Sequence, residues 1–85
     1  MKIKKSYQLL EVMNSTVLID TSDINSSIIK LNETSKDIIE LLLKGKTKQE
    51  IIDCMVCSYD VDLNTISNDY DRLIDSLKKA NVVDD

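Results

Sequence analysis

The chain has 85 residues, a formal net charge of −4 at pH 7 and 42% apolar residues, which is enough for one compact core and argues against a disordered chain. It contains no His, Trp or Phe, so the core must be built mainly from aliphatic side chains, and the commonest general base and metal ligand is missing. The acidic balance argues against nucleic-acid binding, which relies on clustered Lys and Arg.

The N-terminal segment MKIKKSYQLLEVM is basic at its start, but polar residues such as Ser6, Gln8 and Glu11 interrupt any apolar run. We therefore expect neither a signal peptide nor a membrane span, and a cytoplasmic location. The two cysteines are then expected to be reduced thiols. The length fits a single domain over residues 1–85.

The first part of the chain predicts three short strands at about residues 6–13, 16–20 and 27–31, with a polar loop at 21–26. Asn14-Ser15 lies between the first two strands and predicts a tight hairpin, because Asn tolerates a positive φ. The third strand is expected to pair antiparallel with the second, which makes a small meander. It runs into a helical pattern with no Gly or Pro between them.

Three helices are predicted at about residues 33–44, 48–59 and 63–80. Asn32 can cap the first helix and Gly45 can end it. Thr47 and Glu50 form a capping box at the start of the second helix. Asp62 is expected to cap the third helix, and Asn81 to end it in a left-handed conformation.

Each helix has an apolar stripe at helical spacing, and Val82-Val83 is expected to dock back on the core. The stripes consist of Ile38, Leu41 and Leu42 in the first helix, Ile51, Ile52, Met55, Val56 and Tyr59 in the second, and Ile66, Tyr70, Leu73 and Leu77 in the third. Strands followed by helices predict an α+β fold.

Two patterns suggest other functions. Cys54 and Cys57 have the spacing of a redox pair or half a metal site, but they lie inside a predicted helix with no second ligand pair, so apolar packing is the favoured interpretation. Three helices with attached strands could form a winged helix-turn-helix DNA-binding module. Its third helix, however, carries Asp69, Asp71 and Asp75 with one Arg, which phosphates would repel.

The third strand, SSIIKL, has two consecutive Ile residues and a single charge, Lys30. One interpretation places Ile29 and Leu31 in the core and packs Ile28 against a helix. The other makes the strand an edge that receives a peptide strand from a partner. The pattern does not decide between these two interpretations.

Several segments in their order and spacing resemble the PqqD family, which includes stand-alone recognition elements for ribosomally made, modified peptides. They are Leu31-Asn32-Glu33-Thr34, Thr47-Lys48-Gln49-Glu50-Ile51, Tyr59-Asp60-Val61-Asp62 and the closing LKKANVV. The chain departs from the family in having Asn81 where Gly is usual, no Gly in the loop at 21–26, and Ile38 or Ile39 in place of an aromatic residue.

The resemblance implies a winged helix-turn-helix-like domain that does not bind DNA and is not an enzyme. We also expect no cofactor, no metal and no membrane partner. It implies binding of the leader segment of a precursor peptide, added as a strand to the third strand and held against the third helix. The leader would then be presented to a modifying enzyme such as a radical SAM maturase or a leader peptidase. A DNA-binding regulator or a structural subunit of an enzyme complex are the alternatives.

The expected peptide-binding residues lie on the third strand and on one stripe of the third helix. They are Ser27, Ile28, Ile29, Lys30, Leu31, Asp69, Arg72, Leu73 and Ser76. Asp69 and Arg72 would orient charged leader residues, and Leu73 would be shared between the cleft and the core. Replacing Ile29 by Pro is predicted to delete one edge amide.

Overall fold

The computed structural model describes residues 2–23 and 28–84. The elements in chain order are β1 (Lys2–Ile3), β2 (Tyr7–Val12), β3 (Ser15–Asp20), β4 (Ile29–Leu31), α1 (Glu33–Leu43), α2 (Lys48–Tyr59), α3 (Leu63–Lys79) and β5 (Val83–Asp84). A three-stranded antiparallel sheet followed by three helices confirms the predicted α+β class. The predicted strand at 27–31 begins at Ile29 as described, and Ser27 lies outside the described residues.

The hairpin between β2 and β3 turns one residue earlier than predicted. Met13 and Asn14 occupy the turn with φ of 50° and 68°, and Val12 pairs with Ser15. Two consecutive positive φ values are those of a type I′ turn, whose twist matches the flanking strands. Asn14 is therefore the second turn residue, and the predicted Asn14-Ser15 turn is wrong by one position. Ser15 is instead the first residue of β3.

The main sheet has the order β2-β3-β4, so β2 and β4 are its two edges. Leu18 pairs with Ile29 and Thr16 pairs with Leu31 across β3 and β4. Leu18 is 0% exposed, and Leu31 is also buried in the core. This inner face of the sheet packs on the helices, while Val17 and Lys30 belong to the outer face.

A second, two-stranded sheet joins the two ends of the chain and was not predicted. Lys2 pairs with Asp84 and Ile3 pairs with Val83. Ile3, Val82 and Val83 are buried, so the expected docking of Val82-Val83 on the core is confirmed. Strands of two residues carry no alternating pattern that sequence could display.

The core lies between the inner sheet face and all three helices. The buried helical residues are Ile38 and Ile39 in α1, Ile51, Ile52 and Met55 in α2, and Ile66, Tyr70, Leu73, Ile74 and Leu77 in α3. The predicted stripe of α1 was partly wrong, because Ile39 is fully buried whereas Leu41 and Leu42 are only half-buried. None of the described helices is both long and apolar enough to cross a bilayer.

Side-chain caps explain how strand and helix can adjoin without Gly or Pro. Asn32 has an extended backbone at the end of β4, and its Oδ1 accepts a hydrogen bond of 2.8 Å from the Ser35 amide. This bond satisfies one of the amides that the first helical turn leaves open. Thr47 and Glu50 form the predicted capping box at the start of α2. Asp62 occupies the capping position of α3, but its side chain makes no capping bond, so that prediction was wrong.

Two helices end in the same backbone motif with different residues. Gly45 follows α1 with a φ of 84°, and Lys46 N–H donates to the Leu41 carbonyl. Asn81 follows α3 with a φ of 61°, and Val82 N–H donates to the Leu77 carbonyl. Both are Schellman motifs, in which a left-handed residue lets the chain close back on the last turn. The expected ends at Gly45 and Asn81 are confirmed.

The capping box makes the stability of the fold depend on pH. The bond that the Thr47 backbone N–H donates to the Glu50 carboxylate holds the pKa of Glu50 below its ordinary value. A lowered folded-state pKa contributes stability above the unfolded pKa, and this contribution is lost as pH falls through the folded pKa. Glu50→Gln keeps an acceptor but cannot titrate. We expect the melting temperature of the wild type to exceed that of Glu50→Gln near neutral pH and the difference to vanish in acid. A difference that stays constant with pH would contradict this.

Polar contacts tie the helices together around the core. The Tyr59 hydroxyl donates to the Asp37 carboxylate, and this bond raises the pKa of Tyr59 to about 12. Lys48 Nζ lies 3.2 Å from Asp71 Oδ1 and 5.5 Å from the centre of the Tyr70 ring. These contacts link α1 to α2 and α2 to α3.

Candidate peptide-binding cleft

An open cleft of about 310 Å³ separates β4 from α3. Its walls are β4 and one stripe of α3, and its base is the N-terminal half of α1. The lining residues are Ile29, Lys30, Leu31, Asn32, Thr34, Ser35, Ile38, Asp69, Arg72, Leu73 and Ser76. The cleft is therefore a gap beside a sheet edge, lined by apolar residues such as Leu31, Ile38 and Leu73 and rimmed by polar ones.

The structure brings together seven of the nine residues expected to bind peptide. They are Ile29, Lys30, Leu31, Asp69, Arg72, Leu73 and Ser76. Leu73 lines the cleft and also belongs to the buried core, which is the shared position expected for it. Ile28 precedes β4 and is 67% exposed, so it neither lines the cleft nor packs in the core. Ser27 lies outside the described residues.

The outward-facing main-chain groups of β4 belong to Lys30. Thr21 N–H donates to the Ser6 carbonyl at 2.7 Å, so this pair is hydrogen-bonded across the hairpin. Main-chain N–H and C=O groups alternate in direction along a strand. Val17 is an even number of residues from Thr21, so it also bonds towards β2, whereas Thr16 and Leu18 bond towards β4. Lys30, which pairs with Val17, therefore directs its N–H and C=O away from the sheet.

This alternation corrects the expected effect of Pro at position 29. Ile29 pairs with Leu18, so its amide points into the sheet, and Pro there would break the bonding between β3 and β4. The amide at the open edge is that of Lys30.

By the same alternation, Leu9 and Glu11 direct their main-chain groups towards the opposite edge, at β2. Among the described strands, none pairs with either of these edges.

The charges at the rim of the cleft differ in sign from the protein as a whole. Lys30 and Arg72 supply two cations and Asp69 supplies one carboxylate, whereas the whole chain has a net charge of −4. None of the three side chains forms an ion pair with a described residue. They remain available to charged groups of a bound molecule.

Sequence reasoning missed the base of the cleft, which consists of Asn32, Thr34, Ser35 and Ile38. The signal was present, because α1 follows β4 after the single residue Asn32. A helix that starts directly at the end of an edge strand must have its first turn beside that edge. Ile38 was assigned to the core, and it is buried there while one side of it faces the cleft.

The two cysteines were expected to pack as apolar side chains, and this prediction is wrong. Cys54 and Cys57 are both exposed thiols on α2. Within residues 2–23 and 28–84, no cluster of three or more His, Cys, Asp or Glu residues could hold a metal ion. Asp71 and Asp75 are exposed on α3, which keeps the face of this helix unfavourable for phosphates.

The described fold is a small winged helix-turn-helix-like α+β domain with an open sheet edge facing its third helix. The chain belongs to the family described as coenzyme PQQ synthesis protein D (PqqD), whose sequence model matches residues 15–83. The resemblance noted from the sequence is thereby confirmed. Comparison with curated protein sequences finds no match.

Two solved structures share this fold. One is described as TbiB1 in complex with the TbiA(beta) leader peptide, with a TM-score of 0.81 and 24% sequence identity over 96% of this chain and 93% of that chain. The other is described as lasso peptide synthetase B1 complexed with the leader peptide, with a TM-score of 0.77 and 22% identity over 92% of this chain and 89% of that chain. At this identity the likeness concerns the fold.

Proposed function

We propose that this protein binds the leader segment of a ribosomally synthesised precursor peptide and presents the peptide to a modifying enzyme. The leader adds as a strand to β4 and lies in the cleft against α3. The protein itself acts by binding and not by catalysis. Membership of the PqqD family supports this function, as do the two similar folds, both described as complexes with a leader peptide.

The observation that carries the proposal is the outward-facing backbone of Lys30 beside an open cleft. Its N–H and C=O can each bond to the main chain of an added strand, which gives affinity without reading sequence. Ile28 lies two residues before Lys30, so its main-chain groups would face the same way and extend the edge. Ser27 stays a predicted contact outside the described residues. The side chains around the cleft would add affinity to these main-chain bonds.

The side chains around the cleft would select the leader. Residues of an added strand that point inward meet Ile29, Leu31 and Leu73, and burial of apolar area favours aliphatic or aromatic groups there. Charged leader residues at the rim would be oriented by Asp69 and Arg72. A leader held in this way raises the concentration of the core peptide near the enzyme to roughly millimolar, provided the spacer fits. A radical SAM maturase or a leader peptidase would use such a tether.

Lys30→Pro tests the edge directly. Pro is tolerated at an edge position whose N–H faces away from the sheet, so the fold should persist. Pro at position 30 has no N–H, so one carbonyl group of the bound leader loses its hydrogen-bond donor. This unpaired carbonyl should weaken leader binding by about 1–3 kcal/mol. The measurement is the fluorescence polarisation of a labelled synthetic leader peptide titrated with the protein.

Two controls separate the backbone effect from other effects. Lys30→Thr removes the same charge but keeps the amide, so it should bind the leader more tightly than Lys30→Pro. Glu11→Pro removes an outward amide at the opposite edge and should leave leader binding unchanged. If Lys30→Pro is folded and binds like Lys30→Thr, β4 is not the receiving edge.

A further inference from the structure

The second edge of the main sheet, at β2, is longer than the edge at β4 and carries little protection. It has six residues, of which Glu11 alone is charged, and it contains no Pro or Lys. Leu9 and Glu11 direct their N–H and C=O groups outward, while the Tyr7 N–H already donates to the Lys4 carbonyl. Natural edge strands are usually guarded by Lys, Pro or a bulge, and an unguarded edge is a template for another strand.

The outer sheet face next to this edge is apolar. Leu10, Val12 and Met13 are 47%, 44% and 93% exposed. Val17, on the same face of the neighbouring strand β3, is 7% exposed and lies outside the main core cluster. Exposed apolar residues gathered on one surface mark an interaction site. The open backbone and the apolar side chains thus occur together on β2 and the turn that follows it.

We propose that a second copy of this chain pairs with β2 through its own β2, in antiparallel orientation, about a two-fold axis perpendicular to the sheet. The strand is self-complementary for this arrangement. Outward groups occur at odd-numbered residues in both copies, and this symmetry keeps the two apolar outer faces on the same side. The dimer is a six-stranded sheet with β4 at both outer edges.

Charge and bonding select the register. Pairing Glu11 with Glu11 of the second copy would place like charges opposite each other, which is unfavourable. Pairing Leu9 with Leu9 would place Glu11 opposite Tyr7, whose amide is already bonded. Pairing Leu9 with Glu11 of the second copy uses every outward amide of both residues. It also places the two Leu10 side chains side by side on the axis.

The dimer is weak, because two six-residue edges cover less area than the roughly 1,200 Å² of a typical stable interface. We expect a dissociation constant on the order of 10–100 µM. In sedimentation equilibrium the average mass of the wild type should rise with protein concentration, from the monomer value of 9.7 kDa towards twice that value. A wild type that stays monomeric up to about 1 mM, well above this range, overturns the proposal.

Variants locate the interface. Glu11→Pro removes an outward amide without breaking the bonding between β2 and β3, and it should be monomeric, whereas Lys30→Pro should still dimerise. Leu10→Lys is the second variant, to be used if Glu11→Pro fails to fold. It places two like charges on the axis and should also be monomeric. Dimers that persist in Leu10→Lys contradict the β2 interface. If instead Glu11→Pro loses leader binding and the wild type is monomeric, the β2 edge serves the leader and the proposal is wrong.

Cross-linking tests the register. Opposed residues that do not share hydrogen bonds in an antiparallel pair have Cα atoms about 4.5 Å apart, within the range of a disulfide. Leu10→Cys, in a chain whose exposed Cys54 and Cys57 are replaced by Ser, should form a disulfide-linked dimer on oxidation. Gln8→Cys in the same background is the matched control and should link far less, because Gln8 faces Val12 of the second copy. Equal linking in both variants contradicts the register.

Discussion

Leu18→Ala is expected to lower the free energy of unfolding by about 2–5 kcal/mol, which is a large part of the stability of a small domain. Leu18 is 0% exposed on the inner face of β3, in the central strand of the sheet. Truncating its side chain removes apolar contacts and leaves a cavity that the surrounding strands and helices cannot fill. Urea denaturation followed by circular dichroism measures the loss.

Val17→Ala is the matched control for this prediction, because Val17 is the next residue of the same strand. It is 7% exposed but lies on the outer face and outside the main core cluster. Its truncation removes fewer atoms than Leu18→Ala does, and it removes them from outside the core cluster, so the loss should be clearly smaller. Equal losses would mean that the two sheet faces are equally well packed in solution, contrary to the structure.

The features that sequence predicted correctly depend on neighbours within a few residues. The cap at Asn32, the capping box at Thr47 and the left-handed end at Asn81 each involve bonds spanning three to five residues. Such bonds are determined by local residue type, so the sequence displays them. Asp62 shows the limit of this reasoning, since a suitable residue in the capping position need not make the bond.

The features that sequence missed depend on long-range pairing or on an exact register. The pairing of β1 with β5 joins the two ends of the chain, and two-residue strands have no pattern of their own. The hairpin turn was misplaced by one residue because Met13, with no turn propensity, adopts a positive φ of 50°. The exposure of Cys54 and Cys57 is different, because it follows from the apolar stripe of α2 that the sequence displays, and neither cysteine belongs to that stripe.

The candidate cleft could be predicted only in part, because one wall follows from local spacing and its position in the fold does not. The stripe of Asp69, Arg72 and Ser76 follows from helical spacing on α3. Its position opposite β4 came from the family resemblance, because spacing within one helix does not show what the helix faces. The direction of the Lys30 amide required the bonding pattern of the whole sheet, and this changed the position at which Pro tests the edge.

Ser76→Trp is expected to abolish leader binding by occupying the cleft. Ser76 is exposed on the α3 wall, and its hydroxyl donates only to the Arg72 carbonyl of its own helix. An indole at this position can bury itself against Ile29 and Leu73, which gives it a favourable apolar contact. We therefore expect a loss of affinity of at least about 2–3 kcal/mol, comparable with the loss of a strong interface contact, and no loss of thermal stability.

The natural sequence contains no Trp, so the new residue also reports its own environment. Burial in the cleft should shift its fluorescence emission to shorter wavelength than in Cys57→Trp, the control at an exposed position of α2. Cys57→Trp should bind the labelled leader like the wild type. If Ser76→Trp shows buried emission and still binds the leader at wild-type strength, the leader cannot occupy the cleft. If its emission is that of an exposed indole and binding is nevertheless lost, the effect does not come from filling the space between β4 and α3.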